Sequence, residues 1–346
     1  MPSAHYAYLN TRISVLAARL LSRSQCEELV EQTEPDYSGI AGLEDFDDQL
    51  RRAKGSTVLV EHSLLSALLR DVRILVRGLA PPDRRFLLYG VQWFELANLK
   101  ALIRGKFAGL DSRRIRANLV DTHPFTTLPM DELLEAEDPA ELLRRLEATV
   151  YADLARHARR VFEEKQDMFS LNAAIDRKFM EGLRIHALGV VGRDQQGLRE
   201  LIGLMFDQFN LNWLLRFRLN YRLSAAETFF QLLPGGHRLG AADLEALARL
   251  SSLQEIIEAL PPSLAQPLSG AQHISQVENR LEIRMRSMLD RYLNDTRFPV
   301  VRAFAYLIRR ELEMGNLLAV IKGRNLGFEE GLIRYAANLE GELHHA

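Results

Sequence analysis

Three short segments of this chain carry the same pattern, an acid followed three positions later by Asn and then Leu: Glu95-Leu-Ala-Asn98-Leu99, Asp207-Gln-Phe-Asn210-Leu211 and Glu313-Met-Gly-Asn316-Leu317. The acids lie 112 and 106 residues apart in a chain of 346. Apolar residues hold fixed offsets after each acid: Leu102 and Ile103, Leu214 and Leu215, Val320 and Ile321. At 3.6 residues per turn, positions i, i+3, i+4, i+7 and i+8 form one face of a helix. Two of the five are polar in every segment, and burying such a face costs free energy unless both polar groups find partners. A base follows nine positions after each acid, as Arg104, Arg216 and Lys322.

Two further markers travel with the pattern. An apolar–acid pair precedes each acid by 34, 31 and 35 residues, as Val60-Glu61, Ile175-Asp176 and Val277-Glu278. A looser leader begins at Leu21 (LSRSQCEEL), Leu128 (LPMDELL) and Leu239 (LGAADLEAL). The chain therefore reads as one helical repeat used three times, over residues 1–111, 112–223 and 224–346.

If the two marked helices of each repeat form an antiparallel hairpin, facing residues are equidistant from the turn. The midpoint of Glu61 and Asn98 falls within Gly-Leu-Ala-Pro-Pro at 78–82, that of Asp176 and Asn210 at Arg193, and that of Glu278 and Asn316 at Arg297. All three are breakers. The expectation is that Asn98, Asn210 and Asn316 donate to Glu61, Asp176 and Glu278 respectively. Each such bond would contribute about 1.5–3 kcal/mol and fix the hairpin register. The base at the ninth position points away from its own acid; it is expected to be solvated, the alternative being that it reaches the neighbouring repeat.

The remainder is also helical in pattern, with breakers at GLAPPD 78–83, VVGRD 190–194, LLPGGHRLG 232–240 and ALPPS 259–263. TVLV at 57–60 is the best strand candidate, and it heads a helical pattern. The fold class is all-α. With 47% hydrophobic and 26% charged residues, a net charge of −2 and a pI near 6.5, the chain has no basic footprint for nucleic acid. Arg113, Arg114 and Arg116, like Arg216, Arg218 and Arg222, read as solvated helix faces. Cys26 is the only cysteine, which excludes an intrachain disulfide and a cysteine-rich metal site. No apolar run is long enough to span a membrane, and the N-terminus has no signal-peptide core, so any membrane role is expected to be peripheral.

Catalytic signatures are missing. Gly105-Lys106 is followed by Phe107 rather than Ser or Thr, so no phosphate-binding loop forms. Glu44-Asp-Phe-Asp-Asp48 occurs once, without the second acidic run a magnesium site of that kind uses, and reads as a solvated helix start; His344 and His345 read as a frayed tail. Trp93 and Trp213, each beside a motif, read as packing residues. No catalytic, cofactor or metal residue is assigned.

The ordered motifs resemble the C-subunit family of V/A-type (vacuolar-type) rotary ATPases, whose eukaryotic member carries the letter d. The resemblance rests on Tyr8-Leu-Asn10-Thr-Arg12, on Glu95-Leu-Ala-Asn98-Leu99-Lys100 leading into Ile103-Arg104-Gly105-Lys106, and on Glu313-Met-Gly-Asn316-Leu317 leading into Ile321-Lys322-Gly323-Arg324. It covers essentially the whole chain. The second repeat departs, with Phe217-Arg218 where the others have Gly-Lys or Gly-Arg, which puts the tight helix end in doubt there. The resemblance implies a non-catalytic, funnel-shaped collar of three pseudo-threefold-related repeats, present as one copy per complex. It would sit on the cytoplasmic face of the membrane proteolipid ring, receive the central shaft, and couple ATP hydrolysis or synthesis to H⁺ or Na⁺ transport. A helical-repeat adaptor unrelated to rotary motors is the competing class; it would share the repeats and curve openly.

Overall fold

The computed structural model describes residues 2–32, 34–45, 48 and 57–339, and no strand occurs among them. The fold is all-α. Part of the Glu44–Asp48 cluster (Phe46 and Asp47) and the pair His344 and His345 lie outside the described residues. In chain order the helices are α1 Pro2–Ala17, α2 Arg23–Glu31, α3 Val58–Val76, α4 Pro81–Phe107, α5 Ser112–Arg116, α6 Met130–Leu134, α7 Pro139–Leu146, α8 Ala152–Lys165 and α9 Met168–Leu188. They continue as α10 Arg193–Leu215, α11 Ala225–Gln231, α12 Ala241–Ala248, α13 Leu253–Ala259, α14 Pro262–Leu268, α15 Ile274–Asn294, α16 Pro299–Asn325 and α17 Glu330–Ala336.

Local chemistry sets many of these boundaries. Pro81, Pro139, Pro262 and Pro299 open their helices, where the missing N–H costs nothing. The side chains of Ser22, Asp138, Asp167 and Ser252 each accept from a first-turn N–H, which satisfies one of the donors that a helix start leaves open. Val58–Val60 of the strand candidate form the first turn of α3. The turns joining α3 to α4, α9 to α10 and α15 to α16 fall at 77–80, 189–192 and 295–298, on or beside the three breakers.

The chain divides into two compact units. One comprises residues 1–79 and 192–346. Its axis is α16, which packs against α15, α3, α1 and α10 and buries Val300, Val301, Ala303, Phe304, Ala305 and Tyr306. Three buried arginines on α16 are held by specific acceptors. Arg302, for instance, donates to the carbonyls of Leu293 (2.6 Å) and Asn10 (2.8 Å) and to the Ser14 hydroxyl (2.9 Å). The Tyr-Leu-Asn-Thr-Arg opening acts here too. Asn10 donates to the Thr296 carbonyl at 2.9 Å, while Arg12 donates to the carbonyls of Ile74 and Arg77 at the end of α3. Such a cation satisfies the open carbonyls of a helix C-terminus.

The other unit, residues 80–191, is built on α9, which packs against α8 and α4. Tyr89 stacks on Phe179 with ring centroids 5.0 Å apart, and Trp93 lies tilted on Phe179 at 5.4 Å, the packing role expected of it. Trp213, in the first unit, packs between Phe209 and Phe217 at 6.1 and 6.2 Å.

The long helices α4 and α16 end alike. Leu110 N–H bonds the Gly105 carbonyl and Gly109 sits at φ +65°; Phe328 N–H bonds the Gly323 carbonyl and Gly327 sits at φ +70°. These are left-handed glycine terminations. Gly105 and Gly323 serve close approach: a Cβ there would fall 2.5 Å from Cγ1 of Ile115 and 2.8 Å from Cγ1 of Ile333. At the second acid–Asn motif the corresponding residue is Phe217, buried, and α10 passes into a π-helical turn at Arg216–Asn220. The extra residue in that turn moves the left-handed residue from fourteen to fifteen positions past the acid, onto Arg222 at φ +55°.

Candidate functional site

The six motif residues of the long helices are buried: Glu95, Asn98, Asp207, Asn210, Glu313 and Asn316 are all 3% exposed or less. Their partners differ from those expected. Asn98 bonds both polar groups of one residue, donating to the Val120 carbonyl at 2.7 Å and accepting from the Val120 N–H at 2.8 Å. Asn210 does the same with Leu233, at 3.2 and 2.7 Å. These residues lie 22 and 23 positions after the Asn, the difference matching the extra residue of the π turn. At the third position the residue 22 further on is Asn338, left-handed at φ +53°, whose side-chain amide donates to Asn316 at 3.3 Å. An irregular segment on a core must place its N–H and C=O groups somewhere, and a side-chain amide presents the complementary pair.

The acid one turn earlier holds the segment farther along. Glu95 accepts from the N–H groups of Thr127 (2.5 Å) and Leu128 (3.2 Å) and from the hydroxyls of Thr127 and Tyr151. Asp207 accepts from the N–H groups of Arg238 (2.9 Å) and Leu239 (3.0 Å). Glu313 accepts from the Leu21 N–H and from the Arg310 guanidinium. Leu128, Leu239 and Leu21 are the first residues of the three leaders. The first acid thus holds the second leader, the second holds the third, and the third holds the first, 292 residues back.

A second contact repeats in the same cyclic order. Eleven positions after each acid stands Lys106, Arg218 or Arg324. Lys106 donates to the Leu134 carbonyl at 2.6 Å, Arg218 to that of Leu250 at 3.2 Å, and Arg324 to that of Val30 at 2.8 Å. Each carbonyl lies at or just beyond the end of the short leader helix, α6, α12 or α2. One side of the motif therefore grips a leader at its start and the other closes its end.

The acids of the preceding helices do not meet the asparagines. Asp176 pairs with Lys100 (2.6 Å), Glu278 with Arg216 (2.6 Å) and Glu61 with Lys322 (3.6 Å). The asparagines are committed to peptide or amide groups, and a carboxylate near the surface is better matched by a cation. Arg216 and Lys322 thus pair with acids of α15 and α3 while remaining about half exposed, at 51% and 48%, so they are both solvated as expected and partnered, and Arg104 is exposed as expected. Burial raises the Asp176 carboxyl above its ordinary range and Lys100 pulls it down, whereas the Asp207 carboxyl is raised by burial and lowered by the N–H groups of Leu239 and Arg238. The Tyr151 hydroxyl is raised by burial and then by Glu95. Among the described residues no cluster of ligating side chains could hold a metal ion, and no helix is long and apolar enough to cross a membrane.

A profile of the ATP synthase (C/AC39) subunit matches residues 9–335. The chain belongs to that family. It is similar to the C subunit of the A-type ATP synthase of Methanocaldococcus jannaschii, 27% identical over 345 residues that cover 94% of this chain and 85% of the relative. The counterpart in Methanothermobacter thermautotrophicus is 27% identical over 343 residues, 95% and 86% of the two chains. That of Halobacterium salinarum is 23% identical over 345 residues, 96% and 97%. In this member of the C/AC39 family each marked residue has a defined structural use. Besides the asparagine–peptide and acid–leader bonds, two further kinds of contact were not anticipated from the sequence, the bases at the eleventh position and the hydroxyl of Tyr151. The bases were visible as a recurring offset; Tyr151 has no counterpart in the other repeats and carried no signal.

Proposed function

We propose that this chain is the non-catalytic central-axis subunit of a V/A-type rotary ATPase or ATP synthase. Its three repeats, 1–111, 112–223 and 224–346, close into a funnel-shaped collar related by a pseudo-threefold axis. The collar sits on the proteolipid ring at the cytoplasmic face of the membrane, receives the central shaft, and couples ATP hydrolysis or synthesis to H⁺ or Na⁺ movement, one copy per complex. Family membership supports the class of assembly. The observation that carries the collar is the Glu313–Leu21 bond, by which the last acid holds the first leader. A head-to-tail contact that returns to its start closes, whereas an adaptor solenoid would leave its first leader free. Torque transmission needs that closure, because an open array bends between its ends.

The test is a pull-down of tagged full-length protein from solubilised membranes. Recovery of shaft subunits and the apolar proteolipid, at one copy of this chain per complex, is expected. An intact rotary complex lacking the chain would refute the assignment and favour an adaptor.

A further inference from the structure

The three clamp acids are unequally served. Glu95 receives two N–H and two hydroxyl donors, and Glu313 an N–H and a guanidinium. Asp207, one methylene shorter and 1% exposed, receives only the N–H groups of Arg238 and Leu239 among the described residues. Two N–H donors leave part of a buried carboxylate's acceptor capacity open, and such groups ordinarily find a partner. Beside Asp207 lies a cavity of about 20 Å³, lined by Asp207, Gln208 and Arg284 and otherwise by leucine and methionine side chains. Arg284 uses one N–H on the Ser263 carbonyl and makes no direct ion pair with Asp207. A site needs about 10–15 Å³ and two to four polar partners to hold one water.

We infer that a single ordered water occupies this cavity, donating to the Asp207 carboxylate and accepting from the Arg284 guanidinium. It supplies to the second clamp the donor that Tyr151 supplies to the first and Arg310 to the third. Burial raises the Asp207 carboxyl and lowers the Arg284 guanidinium, which Arg238 and Arg291 lower further and Asp207 raises.

A crystal structure of the full chain that shows ordered solvent tests this. One solvent peak about 2.6–3.2 Å from both an Asp207 oxygen and an Arg284 nitrogen is expected. A direct Asp207–Arg284 contact, or a cavity without solvent density, would overturn the inference. In Asp207→Glu the added methylene should displace the water: the peak is expected to vanish while the Leu239 amide stays protected from exchange. Persistence of the peak beside the glutamate would show that other groups hold it, and would equally overturn the bridge. Should Asp207→Glu fail to fold, the wild-type crystal still decides the question.

Discussion

Replacing Asn210 by alanine tests the clamp where water can least repair it. Leu233 is 1% exposed, and both its backbone polar groups are bound by Asn210, at 3.2 and 2.7 Å. The Leu233 carbonyl keeps the Gly235 N–H at 2.8 Å, so Asn210→Ala strands only the Leu233 N–H, and since leaving a buried donor unmatched costs about 1–3 kcal/mol, a loss of about 2–3 kcal/mol is expected. Asn98→Ala makes the same deletion against Val120, which is only half-buried, and water can re-solvate those groups. About 1–2 kcal/mol is expected there, the usual scale of a solvent-repairable bond. Urea denaturation followed by circular dichroism gives the two losses. Because the chain has two compact units, a single global transition is not guaranteed. Hydrogen exchange of peptides spanning 228–240 therefore supplies the local readout, with faster exchange at Leu233 expected in Asn210→Ala. An Asn210→Ala loss smaller than that of Asn98→Ala, or unchanged protection at Leu233, would refute the reasoning.

Three further outcomes are expected. Asp176 is raised by burial, so its stabilising contribution is present below its unfolded pKa, about 3.9, and declines as pH rises through the folded value. Lys100→Met removes the attraction that limits this decline, so its loss against wild type, measured in urea, should be larger at neutral pH than near about pH 4; equal losses would count against the pair. Gly105→Ala places a Cβ against Ile115 and is expected to cost about 1–3 kcal/mol, part of it recovered in the double variant with Ile115→Ala; additive effects in that double-mutant cycle would remove the close-approach explanation. Burial raises the Cys26 thiol, so a disulfide reagent should label it only as fast as the protein opens; immediate labelling of folded protein would contradict that burial.

Periodicity made much of the fold legible. The apolar stripe of each long helix, the breakers at the turns and the burial of the Asn–acid face all follow from spacing within one element. The partners of Asn98 and Asn210 were not legible, because they are backbone groups 22 and 23 residues away in irregular segments with no side-chain signature. Pairing each Asn with the nearest plausible carboxylate matched charge to dipole but overlooked the peptide groups that such segments must satisfy. The acid–leader bonds were half visible. Leu128 and Leu239 recur 33 and 32 residues after their acids, but the partner of Glu313 is Leu21, and no forward spacing reaches it. Closure is a property of three dimensions that a linear search for repeats leaves open. Phe217 in place of glycine flagged the second helix end correctly, though not the π turn that accommodates it.

The closure can be measured directly by amide exchange at the three leader leucines, Leu21, Leu128 and Leu239. In the wild type all three should exchange slowly. Each acid-to-alanine variant should release one of them: Glu95→Ala releases Leu128, Asp207→Ala releases Leu239, and Glu313→Ala releases Leu21. Fast exchange of Leu21 in the wild type, or protection that survives Glu313→Ala, would mean that the last repeat does not hold the first.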